Sequence, residues 1–101
     1  MKKTSVSYEQ GLKEDLLDPK EAASYLNAAL EEGTQEAFLV ALRDVAEAHG
    51  ITDLADKSML NRENIYRILS DQGNPQLSSL MSILESIGLR LSVDVKHSQV
   101  A

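Results

Sequence analysis

The 101-residue sequence contains no cysteine, which excludes disulfide bonds and thiolate metal sites and is compatible with a reducing compartment. Aromatic residues make up only 4% of the chain, so its core must be aliphatic. No apolar run approaches the roughly 18 residues that a membrane span needs, and Lys2 and Lys3 do not precede a signal-peptide core. These absences predict a cytoplasmic protein.

Positive charge is also scarce, because ten basic residues face sixteen acidic ones and leave a net charge of −6. This balance argues against a general nucleic-acid binder, whose affinity comes mainly from Lys and Arg at phosphates. Residues 1–50 hold five basic and ten acidic side chains, hence −5, whereas residues 51–101 hold five and six, hence −1. The acidic half indicates either a basic partner or carboxylates that keep a helical protein soluble.

The first half of the chain predicts two helices bounded by capping residues, within one small domain. Asp18 can cap the first helix, with Pro19 at its first position, and Gly33 ends it. Thr34 can cap the second helix, which Gly50 ends. Apolar side chains follow the 3.6-residue period and should face inward: Ala22, Tyr25, Leu26, Ala29 and Leu30, then Phe38, Leu39, Leu42, Val45 and Ala46.

Residues 54–69 predict two short helices joined by a tight turn. Thr52 or Asp53 opens the third helix, which breaks near Met59, and Asn61 opens the fourth. Helices joined this tightly cross steeply, as in a helix-turn-helix motif. One stripe of the fourth helix should be buried, with Ile65, Ile68 and Leu69. Its polar face, suited to the major groove of DNA, carries Arg62, Glu63, Asn64, Tyr66, Arg67 and Ser70.

The C-terminal part predicts one more helix and then a strand. The helix carries apolar Leu77, Leu80, Met81, Leu84 and Ile87, and Gly88 closes it. After Gly88 the apolar period changes from 3.6 to 2, with Leu89, Leu91, Val93 and Val95 on one face. Because a lone strand leaves backbone groups unpaired, we expect it to pair with the same strand of a second copy. Such a dimer has the symmetry that a palindromic DNA site requires.

Four stretches of the chain carry a family resemblance: LLDPKEAASYLNAALEEG, AFLVALRDVAEAHGIT, LADKSMLNRENIYRILSDQGNP and LESIGLRLSV. On these stretches, from about Tyr8 to Val93, the chain resembles the addiction-module antidote proteins, the HigA-like antitoxins of bacteria and prophages. The resemblance implies an all-α, five-helix domain of the lambda-repressor-like helix-turn-helix type, with the short C-terminal strand paired across a dimer. It also implies operator DNA and a small basic toxin of the RelE/ParE class as partners.

The resemblance assigns roles to the polar face of the fourth helix. It places Asn61 at the helix cap within reach of a phosphate, and Arg62, Glu63 and Arg67 at positions that read bases. Asn64 would contact a base edge or a phosphate, and Tyr66 completes the set. Where such motifs usually carry glycine, this chain has Met59, which would be strained at a positive φ. The alternative is a solvent-exposed face with a Glu63–Arg67 ion pair.

We divide the chain into residues 1–17, a partly ordered or partner-binding segment, and residues 18–101, a single DNA-binding domain. We expect the toxin to contact the first half, because the second half serves DNA binding and dimerisation. The expected toxin contacts are Tyr8, Leu12, Leu16, Tyr25 and Leu26. The apolar stripe of the N-terminal segment can dock on a partner or pack against its own domain, and packing against its own domain is the more frequent outcome for such stripes.

The sequence predicts neither an enzyme nor a metal or cofactor site. His49 and His97 have no partner at ligand spacing and are expected at the surface. The neighbouring acids Asp15 and Asp18, or Glu31 and Glu32, lack a nucleophile or a phosphate loop beside them. The predicted function is an antitoxin of a type II module that binds its toxin and represses its own operon. A stand-alone prophage-type regulator and a protein-interaction adaptor are the alternatives.

Overall fold

The structure, a computed structural model, describes residues 11–70 and 73–96. These ranges contain six helices and no strand. Residues 11–16 form α1, and the other helices are α2 (Pro19–Glu31), α3 (Gln35–His49), α4 (Ile51–Ser58), α5 (Arg62–Ile68) and α6 (Leu77–Ser86). None of the helices in these ranges has the length and apolar character needed to cross a bilayer.

The predicted caps of α2 and α3 are confirmed. The side chain of Asp18 accepts a hydrogen bond from the backbone N–H of Lys20 at 3.0 Å, with Pro19 at the first helical position. The Thr34 hydroxyl oxygen accepts one from the N–H of Ala37 at 3.1 Å. Each bond satisfies a helix-end donor that would otherwise lack a partner. These local signals therefore define where the first two long helices begin.

The predicted start of α4 is wrong. The helix begins at Ile51, with Gly50 at the cap position and no side-chain cap bond, so neither Thr52 nor Asp53 opens it. Gly50 has a φ of 99° and also ends α3, where its N–H bonds to the carbonyl of Ala46. This backbone conformation favours glycine, and it lets α4 follow α3 with no intervening loop.

The core is aliphatic, as predicted, and lies where α4 packs against α3, α5 and α6. α2 packs against α3, and Leu16 of α1 is buried in the same core. The predicted inward stripe is confirmed for α3 and for most of α2, but Leu30 is wrong because its side chain is 55% exposed. The fully buried large side chains are Leu39, Leu42, Val45, Leu54, Ile65, Leu69 and Ile83.

The predicted C-terminal strand is not seen. Residues 89–96 have no regular secondary structure, and only Leu89 packs against the core. Leu91 is exposed, and Val93 and Val95 are 97% and 91% exposed, so these side chains are not half-buried. The physical reason is that a strand requires a hydrogen-bonded neighbour, and the described residues of this single copy provide none. We call residues 89–96 the C-terminal arm.

The segment that follows α5 is tied to the amino end of α3. The side-chain amide of Gln35 donates a hydrogen bond to the carbonyl of Gly73 at 2.7 Å. Gly73 lies so close to the end of α5 that an added Cβ would sit 2.7 Å from the carbonyl oxygen of Ile68. Glycine at this position therefore lets the chain pass directly over the carboxyl end of α5.

Candidate nucleic-acid interface

The turn between α4 and α5 is short and contains a left-handed residue. Met59 has a φ of 66° and a ψ of 18°, and its N–H bonds to the carbonyl of Ala55 at 3.1 Å. The buried hydroxyl of Ser58 accepts a hydrogen bond from the N–H of Leu60 at 3.3 Å. The turn position that would favour glycine is therefore occupied by methionine, at a positive φ.

Met59→Gly should stabilise the protein by about 0.5–1 kcal/mol. A side chain in the left-handed region costs roughly 1–2 kcal/mol, of which the greater unfolded-state freedom of glycine cancels part. Few contacts are lost, since Met59 is 89% exposed. In a domain of this size the melting temperature should rise by roughly 4 °C, measured by circular dichroism. Met59→Ala is the control, and an equal gain from alanine would show that backbone strain is not the cause.

α5 begins and is oriented as predicted. The side-chain carbonyl of Asn61 accepts a hydrogen bond from the backbone N–H of Asn64 at 2.7 Å, which confirms the cap. Ile65, Ile68 and Leu69 are buried in the core. Since these side chains fix the rotation of the helix, the opposite side of α5 must face outward.

The outward side of α5 carries two arginines, which have no acidic partner among the described residues. Arg62, Glu63, Tyr66 and Arg67 are exposed, and Asn64 is half-buried. Arg67 donates a hydrogen bond to the side-chain oxygen of Asn64. Within the described residues the ion pairs are Arg43–Glu47 and Lys57–Asp53, so the alternative Glu63–Arg67 pair does not form. Both guanidinium groups therefore keep their charge available to a ligand.

A broad open depression of about 740 Å³ lies between α4 and the first turns of α5. It brings together most of the residues predicted to contact DNA, and α4 supplies its other wall. The lining residues are Thr52, Ala55, Asp56, Asn61, Arg62, Glu63 and Tyr66. Its charges are mixed, so this surface suits a few directed hydrogen bonds better than a broad phosphate contact.

Of the residues predicted to contact a toxin, those that the structure describes do not share one exposed surface. Leu16 and Leu26 are buried, Leu12 is partly buried against the core, and Tyr8 lies outside the described residues. Tyr25 is partly buried and donates a hydrogen bond through its hydroxyl to Asp44 at 2.6 Å. In this structure α1 packs on its own domain, so a toxin could reach Leu16 only if α1 separated from the core.

A surface groove that the sequence does not predict lies between α2 and α3. We call it the α2–α3 groove, and it is lined by Tyr25, Ala28, Ala29, Glu32, Glu36, Ala37, Val40 and Ala41. Val40, which was not assigned to the core stripe, is 47% exposed there. No sequence signal marks it, because the small residues and glutamates on the two sides of Gly33 come together only when α2 packs on α3.

His49, the histidine that the structure describes, does not lie at a metal site. His49 is partly buried instead of lying at the surface, and its Nε2 atom is buried without a hydrogen-bond partner. His97 lies outside the described residues. Within residues 11–70 and 73–96, no three histidine or acidic side chains are close enough to hold a metal ion.

Comparison with known proteins gives a family match over most of the chain. A family model described as "Probable addiction module antidote protein" matches residues 9–95. An uncharacterized protein of Haemophilus influenzae (strain ATCC 51907 / DSM 11121 / KW20 / Rd) is 34% identical over 80 residues, which cover 79% of this chain and 82% of that protein. No solved structure gives a significant match.

Proposed function

Because the chain belongs to the probable addiction module antidote protein family, we propose that it is an antitoxin with two activities. It neutralises a small basic toxin of the RelE/ParE class by direct binding, and it represses its own operon as a homodimer on operator DNA. Both activities are non-enzymatic and take place in the cytoplasm. The observation that carries the DNA-binding half of the proposal is the pair of exposed arginines on α5, which form no ion pair within the described residues.

For DNA binding, α4 and α5 act as a helix-turn-helix of the lambda-repressor-like type, and α5 enters the major groove. Arg62 and Arg67 bond O6 and N7 of guanine, and Glu63 accepts from N4 of cytosine. The amide groups of Asn61 and Asn64 contact a phosphate or a base edge, and the Tyr66 ring packs beside them. Burial of Ile65 and its neighbours supports this assignment, because it leaves these polar side chains on the free side of α5.

Dimerisation compensates for the weak electrostatic attraction of a single subunit. The second half of the chain carries a charge of only −1, so one copy offers few cationic contacts to phosphates. In the proposed dimer, the C-terminal arms pair through Leu91, Val93 and Val95, beside Leu89, which packs on its own core. Two features support this pairing: the alternating aliphatic pattern and the exposure of Val93 and Val95 in one copy. The two α5 helices then meet successive turns of the major groove, roughly 34 Å apart.

The toxin half of the proposal is supported by the family match and by charge. The antidote family implies a toxin partner, and the first half of this chain has a net charge of −5. A toxin that acts on RNA or its machinery is basic, so the acidic half of the antitoxin attracts it and the nearly neutral half does not.

Co-expression with the adjacent gene product tests this function. We expect a tagged antitoxin to co-purify a basic protein of about a hundred residues, and we expect co-expression to restore growth that the partner alone arrests. Light scattering of the purified complex should give a mass that contains two antitoxin copies. The control expresses the antitoxin without the neighbour. A stand-alone regulator would instead purify alone and rescue nothing, and a monomer at micromolar concentration would contradict the dimer.

A further inference from the structure

The α2–α3 groove has the shape of a shallow apolar slot at the surface. Its volume of about 440 Å³ is within the roughly 300–1,000 Å³ of ligand-sized clefts. Most of its exposed lining is apolar, with Ala28 and Ala37 along the two helices and the half-exposed Val40 beside them. It can therefore accept apolar side chains from outside the domain.

The groove exists because both helices present small residues where they meet. Ala29 and Ala41 are buried at the contact, while Ala28 and Ala37 lie nearer the surface. Longer side chains at these positions would fill the space, since protein interiors are normally close-packed. Alanines instead leave a depression that no described residue of this chain fills.

Two carboxylates lie in the lining of the groove. Glu32 and Glu36 are exposed members of its lining, one on each side of the turn at Gly33. Within the part of the chain that the structure describes, neither carboxylate forms an ion pair, and Arg43 of α3 pairs with Glu47 instead. The lining contains no lysine or arginine. The groove therefore combines an apolar floor with uncompensated negative charge.

We propose that the α2–α3 groove docks a cationic segment of the partner toxin. The segment inserts an aliphatic side chain over the alanines and places an arginine or lysine at each of Glu32 and Glu36. This inference rests on the proposed antitoxin function and assigns the surface that serves it. The charge decides between possible occupants, because carboxylates repel DNA and also repel a second copy of a chain with a net charge of −6.

The experiment measures binding to the adjacent gene product, separated from the co-purified complex and refolded. One variant is Glu32→Lys/Glu36→Lys, which reverses both charges. A second is Ala28→Trp, which fills the groove from an exposed position. The matched control, Glu21→Lys/Glu85→Lys, makes the same change in net charge at exposed positions outside the groove lining. Circular dichroism confirms that each variant is folded.

We expect the charge reversal to weaken binding about 30-fold and the tryptophan to weaken it at least about tenfold. The control should bind within about threefold of the wild type, because charges outside the contact act only through long-range attraction. If the wild type does not bind the product at all, the antitoxin function fails and this inference fails with it. If the wild type binds but the groove variants bind equally well, or weaken no more than the control, the groove assignment is wrong and the function stands.

Discussion

An Arg62→Glu/Arg67→Glu variant should lose specific binding to the promoter of its own operon, with a dissociation constant raised about 1,000-fold. Each arginine that pairs with guanine contributes roughly 1–3 kcal/mol of discrimination, and glutamate adds repulsion from the DNA. Both side chains are exposed, so the fold should persist. Fluorescence anisotropy with a labelled promoter fragment at fixed salt measures the loss.

The control for this experiment is Lys20→Glu/Arg43→Glu, which changes the net charge equally but lies on α2 and α3. It should weaken DNA binding only a few-fold, through the general charge effect, and the effect should shrink as salt is added. Toxin binding should survive the α5 variant. Unchanged promoter binding in the α5 variant would remove α5 from the DNA interface.

Ile65→Ala should remove a large part of the stability of the domain. Ile65 has no exposed surface and lies in the core cluster at the base of α5. Truncating a fully buried isoleucine to alanine costs about 2–5 kcal/mol, because apolar contacts are lost and a cavity remains. A domain of this size has a total unfolding free energy of roughly 5–15 kcal/mol. Urea denaturation followed by circular dichroism measures the difference.

The neighbouring exposed residue gives the matched control for stability. Tyr66→Ala alters the next position of α5 but removes a side chain that is 44% exposed and lies outside the buried core, so it should cost about 1 kcal/mol, well below the cost of Ile65→Ala. Its effect should appear in DNA binding instead. If Ile65→Ala cost no more than Tyr66→Ala, the burial of Ile65 would not be what anchors α5.

Helix boundaries were predictable where a side chain performs the capping. Asp18, Thr34 and Asn61 each accept a hydrogen bond from a backbone N–H two or three residues further along the chain. The residue type and position of each predict that it caps a helix. The start of α4 was not predictable, because Gly50 ends one helix and begins the next through its backbone conformation alone. A glycine with a positive φ usually marks only the end of a helix. The sequence pattern therefore favours a start of α4 at Thr52 or Asp53, later than the observed Ile51.

The burial of side chains could be predicted from the sequence only where it follows from the apolar period of a single helix. The stripe of Ile65, Ile68 and Leu69 follows from the helical period. Leu30 satisfies the same period yet is 55% exposed, while its neighbour Ala29 in the same turn is buried, so the period alone does not decide burial. The C-terminal arm has a strand pattern, but whether a strand forms depends on a second strand that lies outside the pattern itself.

The two candidate sites, the polar face of α5 and the α2–α3 groove, also differ in whether the sequence predicts them. The polar face of α5 could be predicted because all of its residues belong to one helix. The α2–α3 groove could not, because Ala28 and Ala37 face each other only after the chain turns at Gly33. Two separated alanines carry no signal of their own, and only the packing of α2 on α3 turns them into a surface feature.

The hydrogen bond from Gln35 to Gly73 gives the two proposed surfaces a mechanical connection. Gln35 directly precedes Glu36 of the groove, and Gly73 rests on the carboxyl end of α5. A bound toxin that displaced the amino end of α3 would therefore also displace Gly73, and with it the carboxyl end of the helix proposed to read DNA. Thermodynamic linkage makes such an effect mutual: whatever toxin does to operator affinity, operator does to toxin affinity by the same factor.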